Sequence, residues 1–236
     1  IKAGRGTPHG GIYLDIASRR TPEFIRKRLP SMYHQFKELA DVDITAEPME
    51  IGPTCHYVMG GVEVDADTEL AGVEGLYAVG ECSGGMHGSN RLGGNSLSDL
   101  LVFGRRAGES AAAYAEGLGA SRPVVVDEDV KAAERSALAP FEVEGGENPY
   151  AIQSDLQQSM NDLVGIIRTA PELEQSLEAI EALKERATRM VVEGHRQYNP
   201  GWHLSLDLRN MLIVSEAIAR AALAREESRG GHTRDD

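Results

Sequence analysis

A run of small residues separates a short apolar segment from a long helical pattern near the middle of the chain. The apolar segment GLYAVGE covers residues 75–81, the small residues cover 82–94, and the helical pattern SLSDLLVFGRRAG begins at Ser96. A continuous apolar run of this length is typical of a buried strand in an α/β sheet. A strand, a glycine-rich loop and a helix in this order place backbone amides where they can meet an anion or a polar ring. The order predicts an α/β portion with a ligand beside the helix start, for which Ser96 is the expected N-cap.

Two glycine-bearing loops each carry one residue that can bind a carboxylate. His56 lies in PTCHYVMGG at residues 53–61, and Arg91 lies in HGSNRLGG at residues 87–94. Glycine lets the backbone approach a ligand closely, and arginine offers a planar fork that matches a carboxylate. Taken singly, His56 fits a structural role better, and Arg91 could equally pair with an acid such as Asp99. Together they favour a site for an acidic small molecule.

Glu81 follows the apolar run directly, at the predicted carboxyl end of a strand. A carboxylate in this place suits hydrogen bonds to the vicinal hydroxyls of a nucleotide or ribityl chain, although an ordinary loop carboxylate is the alternative. His87 shares the loop of Arg91 and is expected to lie behind the residues that touch the ligand. A zinc site is not predicted, because the spacing of its candidate ligands fits no known pattern. These candidates are Cys55, His56, Cys82 and His87.

Charge and composition exclude several classes of partner. The net charge of −13 argues against nucleic acid and anionic membrane as direct partners, because phosphates would be repelled. Two cysteines without a CxxC pattern indicate a reducing compartment. No apolar run approaches the roughly twenty residues that span a bilayer, and no signal-peptide pattern opens the chain.

The chain divides into three parts by pattern. Residues 1–50 read as a loop, a short strand and a helix that starts at Thr21 and is interrupted at Pro30. Residues 51–125 hold the glycine-rich loops, and 126–236 carry three amphipathic stripes, as in a small helical bundle. The chain lacks an initiator methionine and the GxGxxG and GxxxxGK[ST] phosphate-binding patterns, so we expect a piece of a longer protein.

Four stretches together resemble the flavoprotein subunit of succinate dehydrogenase and fumarate reductase. They are PTCHYVMGG, GLYAVGE, HGSNRLGGNSLSDLLVFGRRAG and the closing ESRGGH, and they follow one another in the order of that family. The resemblance covers essentially the whole chain. It implies that residues 1–50 are the tail of a capping domain and that 51–125 are the C-terminal part of an incomplete, Rossmann-like α/β FAD-binding domain. Residues 126–236 would then be the C-terminal helical domain.

The resemblance also implies roles for individual residues. His56 and Arg91 match the residues that grip the carboxylates of the substrate. Glu81, Ser96 and Leu97 match residues that bind FAD, and His87 and Asn90 would support the site from behind. The proton-delivering arginine of the family is expected upstream of Ile1, so no catalytic residue is assigned in this chain.

The activity implied is interconversion of succinate and fumarate by hydride transfer between the dicarboxylate and N5 of FAD. Electrons would pass to an iron–sulfur subunit and quinone, with a membrane-anchor subunit beneath, and the N-terminal remainder of the flavoprotein would complete the FAD site. The subunit would lie peripherally on the cytoplasmic face of the plasma membrane. One alternative is L-aspartate oxidase, although LGGNS after Arg91 resembles the dehydrogenase form rather than the LASNS of the oxidase. A second alternative is a non-catalytic, acidic helical interaction module.

Overall fold

The computed structural model describes residues 4–52, 54–120 and 123–236, so Pro53 of the PTCHYVMGG motif lies outside the described residues. The described helices are α1 Pro22–Arg28, α2 Pro30–Ala40, α3 Asn95–Gly117, α4 Asp127–Leu138, α5 Pro149–Leu163, α6 Ala170–Ala187 and α7 Pro200–Ala224. The described strands are β1 Ile12–Leu14, β2 Met49–Ile51, β3 Ile167–Arg168 and β4 Thr233–Arg234. The chain forms two compact units, Ile1–Cys55 and His56–Asp236. The predicted domain boundaries near residues 50 and 125 stay predictions.

The first unit is a small antiparallel strand pair with two helices. β1 pairs with β2, and Tyr13 lies opposite Glu50. Thr21 caps α1 as predicted, because its side chain accepts a hydrogen bond from the Phe24 amide. The predicted interruption at Pro30 is also confirmed, since α2 begins at that residue. The buried core of this unit consists of Ile25, Ile44 and Met49.

In the second unit, the helix predicted after the glycine-rich loop is confirmed as α3, but the strand predicted at residues 75–81 is wrong. Within that run, Tyr77 forms only an isolated bridge to Leu70, and residues 80–82 form a single 3₁₀ turn. The side chain of Leu76 is 50% exposed. Gly75 and Gly80 both have positive φ, +80° and +79°, so an extended backbone cannot continue through either end of the run.

The predicted helical bundle is confirmed in α5, α6 and α7. Their helical stripes meet in one core, whose fully buried members include Ile152, Leu173, Ile180 and Leu208. The first of the three amphipathic stripes is predicted to run from Ile152 to Ile167, but Ile167 lies in β3. The buried residues of the core are Ile152, Leu156, Val164, Leu173, Ile180, Leu183, Ala187, Met190, Leu208, Leu212, Ala219 and Ala222.

The end of the chain returns from this bundle to the glycine-rich loop. β4 pairs in parallel with β3, where Thr233 lies opposite Ile167. Just before β4, the Gly231 amide donates a 2.9 Å hydrogen bond to the carbonyl of Ser89. The segment between α7 and β4 therefore contacts the loop that carries Arg91. None of the described helices is long and apolar enough to cross a membrane.

Candidate functional site

Backbone hydrogen bonds hold the two glycine-bearing loops side by side. The Val62 amide donates to the Cys82 carbonyl at 2.8 Å, and the Gly84 amide donates to the Val62 carbonyl at 2.8 Å. Gly61 has φ +146°, and a Cβ there would lie 2.2 Å from the Cys82 carbonyl oxygen. Only glycine permits this approach. The contact explains why the first loop ends in glycine, and it brings the segment after His56 against the segment before Arg91.

Glu81 joins the same two loops through its side chain. Its Oε1 accepts a 2.9 Å hydrogen bond from the Val58 amide, two residues after His56. Among the described residues, no hydrogen bond to Oε2 is found, so that oxygen can accept from a hydroxyl. The role of Glu81 toward a cofactor stays a prediction.

The guanidinium of Arg91 lies over the ring of Tyr57, with its Cζ 4.6 Å from the ring centroid. One Nη donates a 3.2 Å hydrogen bond to the Leu92 carbonyl. Arg91 Nε is buried and has no hydrogen-bond partner in the part of the chain that the structure describes. No ion pair between Arg91 and Asp99 is found there either. The side chain is thus held by an aromatic face, and part of its donor fork is uncommitted.

Asp99 faces His87 instead of Arg91. His87 Nε2 lies 3.4 Å from Asp99 Oδ2, a distance that fits an ion pair but is long for a hydrogen bond. The Asp99 side chain is only 2% exposed, and neither carboxylate oxygen has a hydrogen-bond partner among the described residues. The ring of His87 meets the ring of Tyr57 edge to face, with centroids 5.7 Å apart. Four side chains therefore form one continuous cluster: Asp99, His87, Tyr57 and Arg91.

Tyr57 stays neutral within this cluster. Burial raises the pKa of the Tyr57 phenol, and the nearby carboxylates of Asp99 and Glu81 raise it further, against an opposing effect of Arg91. A neutral phenol ring keeps its electron-rich face for the guanidinium.

His56 and Asn90 are both exposed beside this cluster. The imidazole of His56 makes no hydrogen bond or ion pair with any described residue, and it directly precedes Tyr57 in the chain. The amide of Asn90 donates to the His87 carbonyl at 3.3 Å, which ties it to the turn before Arg91. The structure thus places Tyr57, the residue after His56, against Arg91. The predicted roles of His56 and Asn90 stay predictions.

The N-terminus of α3 differs from the expected cap. The N-cap is Gly94, with φ +83°, and Ser96 is the second helical residue. Gly94 has no side chain with which to accept from the first-turn amides, and the Asn95 amide donates instead to the Leu92 carbonyl at 3.1 Å. The Leu97 amide makes a 3.3 Å hydrogen bond to the Gly94 carbonyl, and no described residue accepts from the Ser96 amide. The prediction of Ser96 as the cap was wrong, but its amide is more available as a result.

The surroundings of this helix start fit a flat, partly polar ring. Leu97 and Leu92 are 68% and 73% exposed, so apolar side chains flank the uncapped amides. Backbone donors beside apolar carbons suit the polar edge and the apolar faces of a flavin. FAD therefore fits the residues present. No group of three or more His, Cys, Asp or Glu side chains able to hold a metal ion is found in residues 4–52, 54–120 and 123–236.

Sequence reasoning missed the part played by Tyr57 and Asp99. In the sequence, Tyr57 is only one residue of the PTCHYVMGG motif, and Asp99 is only a possible ion-pair partner for Arg91. The available signal for Asp99 was its place in the second turn of α3, on an otherwise apolar stretch.

Comparisons with known proteins point to the same family in the N-terminal and C-terminal parts of the chain. Family models for the FAD binding domain and the fumarate reductase flavoprotein C-term match residues 1–97 and 153–236. The fumarate reductase flavoprotein subunit of Escherichia coli (strain K12) is 36% identical over 233 residues, which are 98% of this chain and 38% of that protein. A structure of Mycobacterium smegmatis Sdh1 in complex with UQ1 is 65% identical with a TM-score of 0.88, over 100% of this chain and 39% of that one.

A structure of quinol-fumarate reductase with menaquinol molecules is 35% identical with a TM-score of 0.91, over 100% of this chain and 41% of that one. The chain spans about two fifths of the length of these relatives. Together with the two family models, these similarities show that the chain belongs to the family of FAD-dependent flavoprotein subunits of fumarate reductase and succinate dehydrogenase.

Proposed function

We propose that the protein to which this chain belongs interconverts succinate and fumarate, and that His56 and Arg91 bind the two carboxylates of the substrate. The observation that carries the proposal is the state of Arg91. A partly buried guanidinium normally finds a carboxylate, yet Arg91 rests on Tyr57 with Nε unpartnered among the described residues. A carboxylate ligand can bind the part of this donor fork that no described residue occupies.

The imidazole of His56 supplies a second donor from the adjacent loop. It is exposed and makes no hydrogen bond or ion pair with the described residues, so it can turn toward a ligand. Because two donors hold two carboxylates, they orient the C2–C3 bond of a four-carbon diacid, and their contribution is one of proximity and electrostatics. His56 acts as a hydrogen-bond donor to carboxylate and not as the acid or base of the reaction.

The cofactor would be held from the other side of the same loop. When bound, FAD supplies the redox chemistry by exchanging a hydride with the substrate carbon. Glu81 would accept hydrogen bonds from its hydroxyls, and the backbone of Ser96 and Leu97 would meet its ring, with the Ser96 amide as the free donor. The uncapped start of α3 and the exposed leucines beside it support this assignment. The remaining FAD contacts would come from the N-terminal remainder of the flavoprotein.

We further propose an assembly with an iron–sulfur subunit and, through it, a membrane anchor and quinone, on the inner face of the plasma membrane. One structure of a relative is described in complex with UQ1 and another with menaquinol molecules, which supports a quinone-linked enzyme.

The test uses the full-length flavoprotein with FAD bound. Arg91→Lys keeps the positive charge but loses the planar fork, so succinate turnover with a dye acceptor should fall by orders of magnitude while FAD absorbance is kept. Arg105→Lys is the matched control. Arg105 is an exposed arginine on α3 whose Nε contacts Glu109 at 2.7 Å, and turnover should stay at the unsubstituted level. Near-normal turnover by Arg91→Lys, or oxidation of aspartate with oxygen in place of succinate, would contradict the proposal.

A further inference from the structure

We infer that Asp99, His87 and Tyr57 are positioning residues that hold the Arg91 guanidinium in the orientation needed for a substrate carboxylate. Asp99 would thus influence substrate binding without touching the substrate. The inference rests on the proposed function, because it assumes that Arg91 binds the dicarboxylate. The inference gives a role to Asp99, a buried acid that has no role in the proposed function.

The first step is the isolation of Asp99. Its side chain is 2% exposed, and neither oxygen has a hydrogen-bond partner among the described residues. A buried carboxylate without a donor is costly, so a protein retains one where a nearby cation or donor compensates for it. The imidazole of His87, 3.4 Å away and 15% exposed, is in that place. Asp99 therefore restricts the position of the His87 ring.

The second step is the contact between His87 and Tyr57. The two rings are 5.7 Å apart between centroids, with planes inclined at 77°, which is an edge-to-face arrangement. Such a pair has a preferred geometry, so a fixed imidazole fixes the plane of the phenol ring. Tyr57 sits on a loop without regular secondary structure, where a side-chain contact of this kind is needed to define the ring orientation.

The third step is the contact between Tyr57 and Arg91. With Cζ 4.6 Å from the ring centroid, the guanidinium is held through a cation–π interaction rather than by a carboxylate. An internal carboxylate would compete with the substrate for the donor fork, whereas an aromatic face orients the fork and leaves it open. Asp99 is near enough to His87 to act through it and makes no ion pair with Arg91 among the described residues.

The experiment measures the dissociation constant of malonate, a dicarboxylate that cannot be dehydrogenated, in the full-length protein with FAD bound. Tyr57→Leu should weaken binding roughly 3- to 30-fold, the range that a cation–π contact supports, and Tyr57→Phe should change it less than about twofold. Asp99→Asn should weaken binding by roughly tenfold. Glu109→Gln is the matched control, since Glu109 is an exposed acid on the same helix, and its variant should bind malonate normally.

A double-mutant cycle separates positioning from a general structural effect. If Asp99 acts through Arg91, Asp99→Asn should change malonate affinity less than about twofold in an Arg91→Lys background. The KM for succinate should rise in parallel with the malonate dissociation constant while kcat changes less. If Asp99→Asn fails to retain FAD, the Tyr57→Leu and Tyr57→Phe pair is measured in the same two backgrounds and decides the matter.

The outcomes distinguish this inference from the proposed function. If Arg91→Lys weakens malonate binding but Asp99→Asn and Tyr57→Leu bind malonate normally, the positioning inference is overturned and the proposed function stands. Equal effects of Asp99→Asn with and without Arg91→Lys would also overturn the inference, because the two residues would then act independently. If Arg91→Lys itself binds malonate normally, the proposed function and the inference are both lost.

Discussion

The guanidinium of Arg91 lies on the face of Tyr57, and not against the carboxylate of Asp99, the buried acid of the following helix. The ring supports a cation without neutralising its hydrogen-bonding capacity. An arginine held in this way remains ready for an external carboxylate, which a salt-bridged arginine would not be. The contact between Tyr57 and Arg91 thus joins the two glycine-bearing loops and leaves Arg91 able to bind the substrate carboxylate proposed for it.

Replacement of His56 should affect substrate binding and leave the cofactor in place. In the full-length protein, His56→Ala should raise the KM for succinate by roughly 10- to 100-fold, the cost of one hydrogen bond to a charged group. FAD absorbance should be unchanged. His34→Ala, at an exposed histidine of α2, should leave the KM as it was. An unaltered KM in His56→Ala would remove His56 from the substrate site.

Gly61 should tolerate no side chain. In Gly61→Ala, the new Cβ would lie 2.2 Å from the Cys82 carbonyl oxygen at φ +146°, so the free energy of unfolding should fall by an amount on the order of 1–3 kcal/mol. Thermal unfolding measures this loss. Gly117→Ala is the control, because a Cβ at Gly117 meets no atom within 4 Å. Equal melting temperatures for the two variants would contradict the tight approach of the loops.

Gly230 should control the position of the Arg91 loop. A Cβ at Gly230 would lie 2.4 Å from the Ser89 carbonyl oxygen, whereas one at the neighbouring Gly231 would lie 3.6 Å from it. Gly230→Ala should therefore shift the loop and raise the KM for succinate by roughly tenfold or more. Gly231→Ala should not. Steady-state kinetics give the KM for succinate of both variants. Equal KM values would show that Gly230 does not control the position of the Arg91 loop.

His232 should make the folded state less stable in mild acid. Its Nε2 donates to the Arg225 carbonyl at 3.1 Å, and its Nδ1 accepts from Arg168 at 2.9 Å, so the ring is neutral when folded. Burial lowers the pKa of His232 against the opposing effect of the hydrogen bond to the Arg225 carbonyl, and the charges of Arg168, Arg225 and Arg234 lower it further.

The unfolded histidine then binds a proton first as the pH falls below about 6.5, and stability is lost from that point downward, by at most about 1.4 kcal/mol per pH unit. Unfolding free energies at pH 7.5 and 5.5 would show a larger drop for the unsubstituted protein than for His232→Gln, whose amide offers one donor and one acceptor. The same drop in both would show that other groups cause it.

The spacing of apolar residues predicted most of the helices, because this spacing is a property of each segment alone and does not depend on distant contacts. The stripes of α5, α6 and α7, the cap at Thr21 and the break at Pro30 are all properties of neighbouring residues. The strand expected at residues 75–81 was wrong because two glycines with positive φ bound it, and an apolar run alone does not show backbone conformation. Ser96 was expected as the cap since glycine gives no side-chain signal of its own capping position.

The site was only partly predictable for a different reason. Glycine, histidine and arginine mark the two loops, but the pairing of Tyr57 with Arg91 joins residues 34 positions apart. Contacts of this kind depend on how the loops pack and leave no periodic trace in the sequence. The same holds for Asp99, whose burial against His87 follows from tertiary structure alone.

The hydrogen bond from the Val58 amide to Glu81 has a consequence for the loop that carries His56. One carboxylate would serve both the prosthetic group and the loop that begins at His56. Glu81 would then link the two, since Oε1 holds the loop and Oε2 is left for a hydroxyl of the cofactor. Removing this one carboxylate would therefore disturb the cofactor and the loop together.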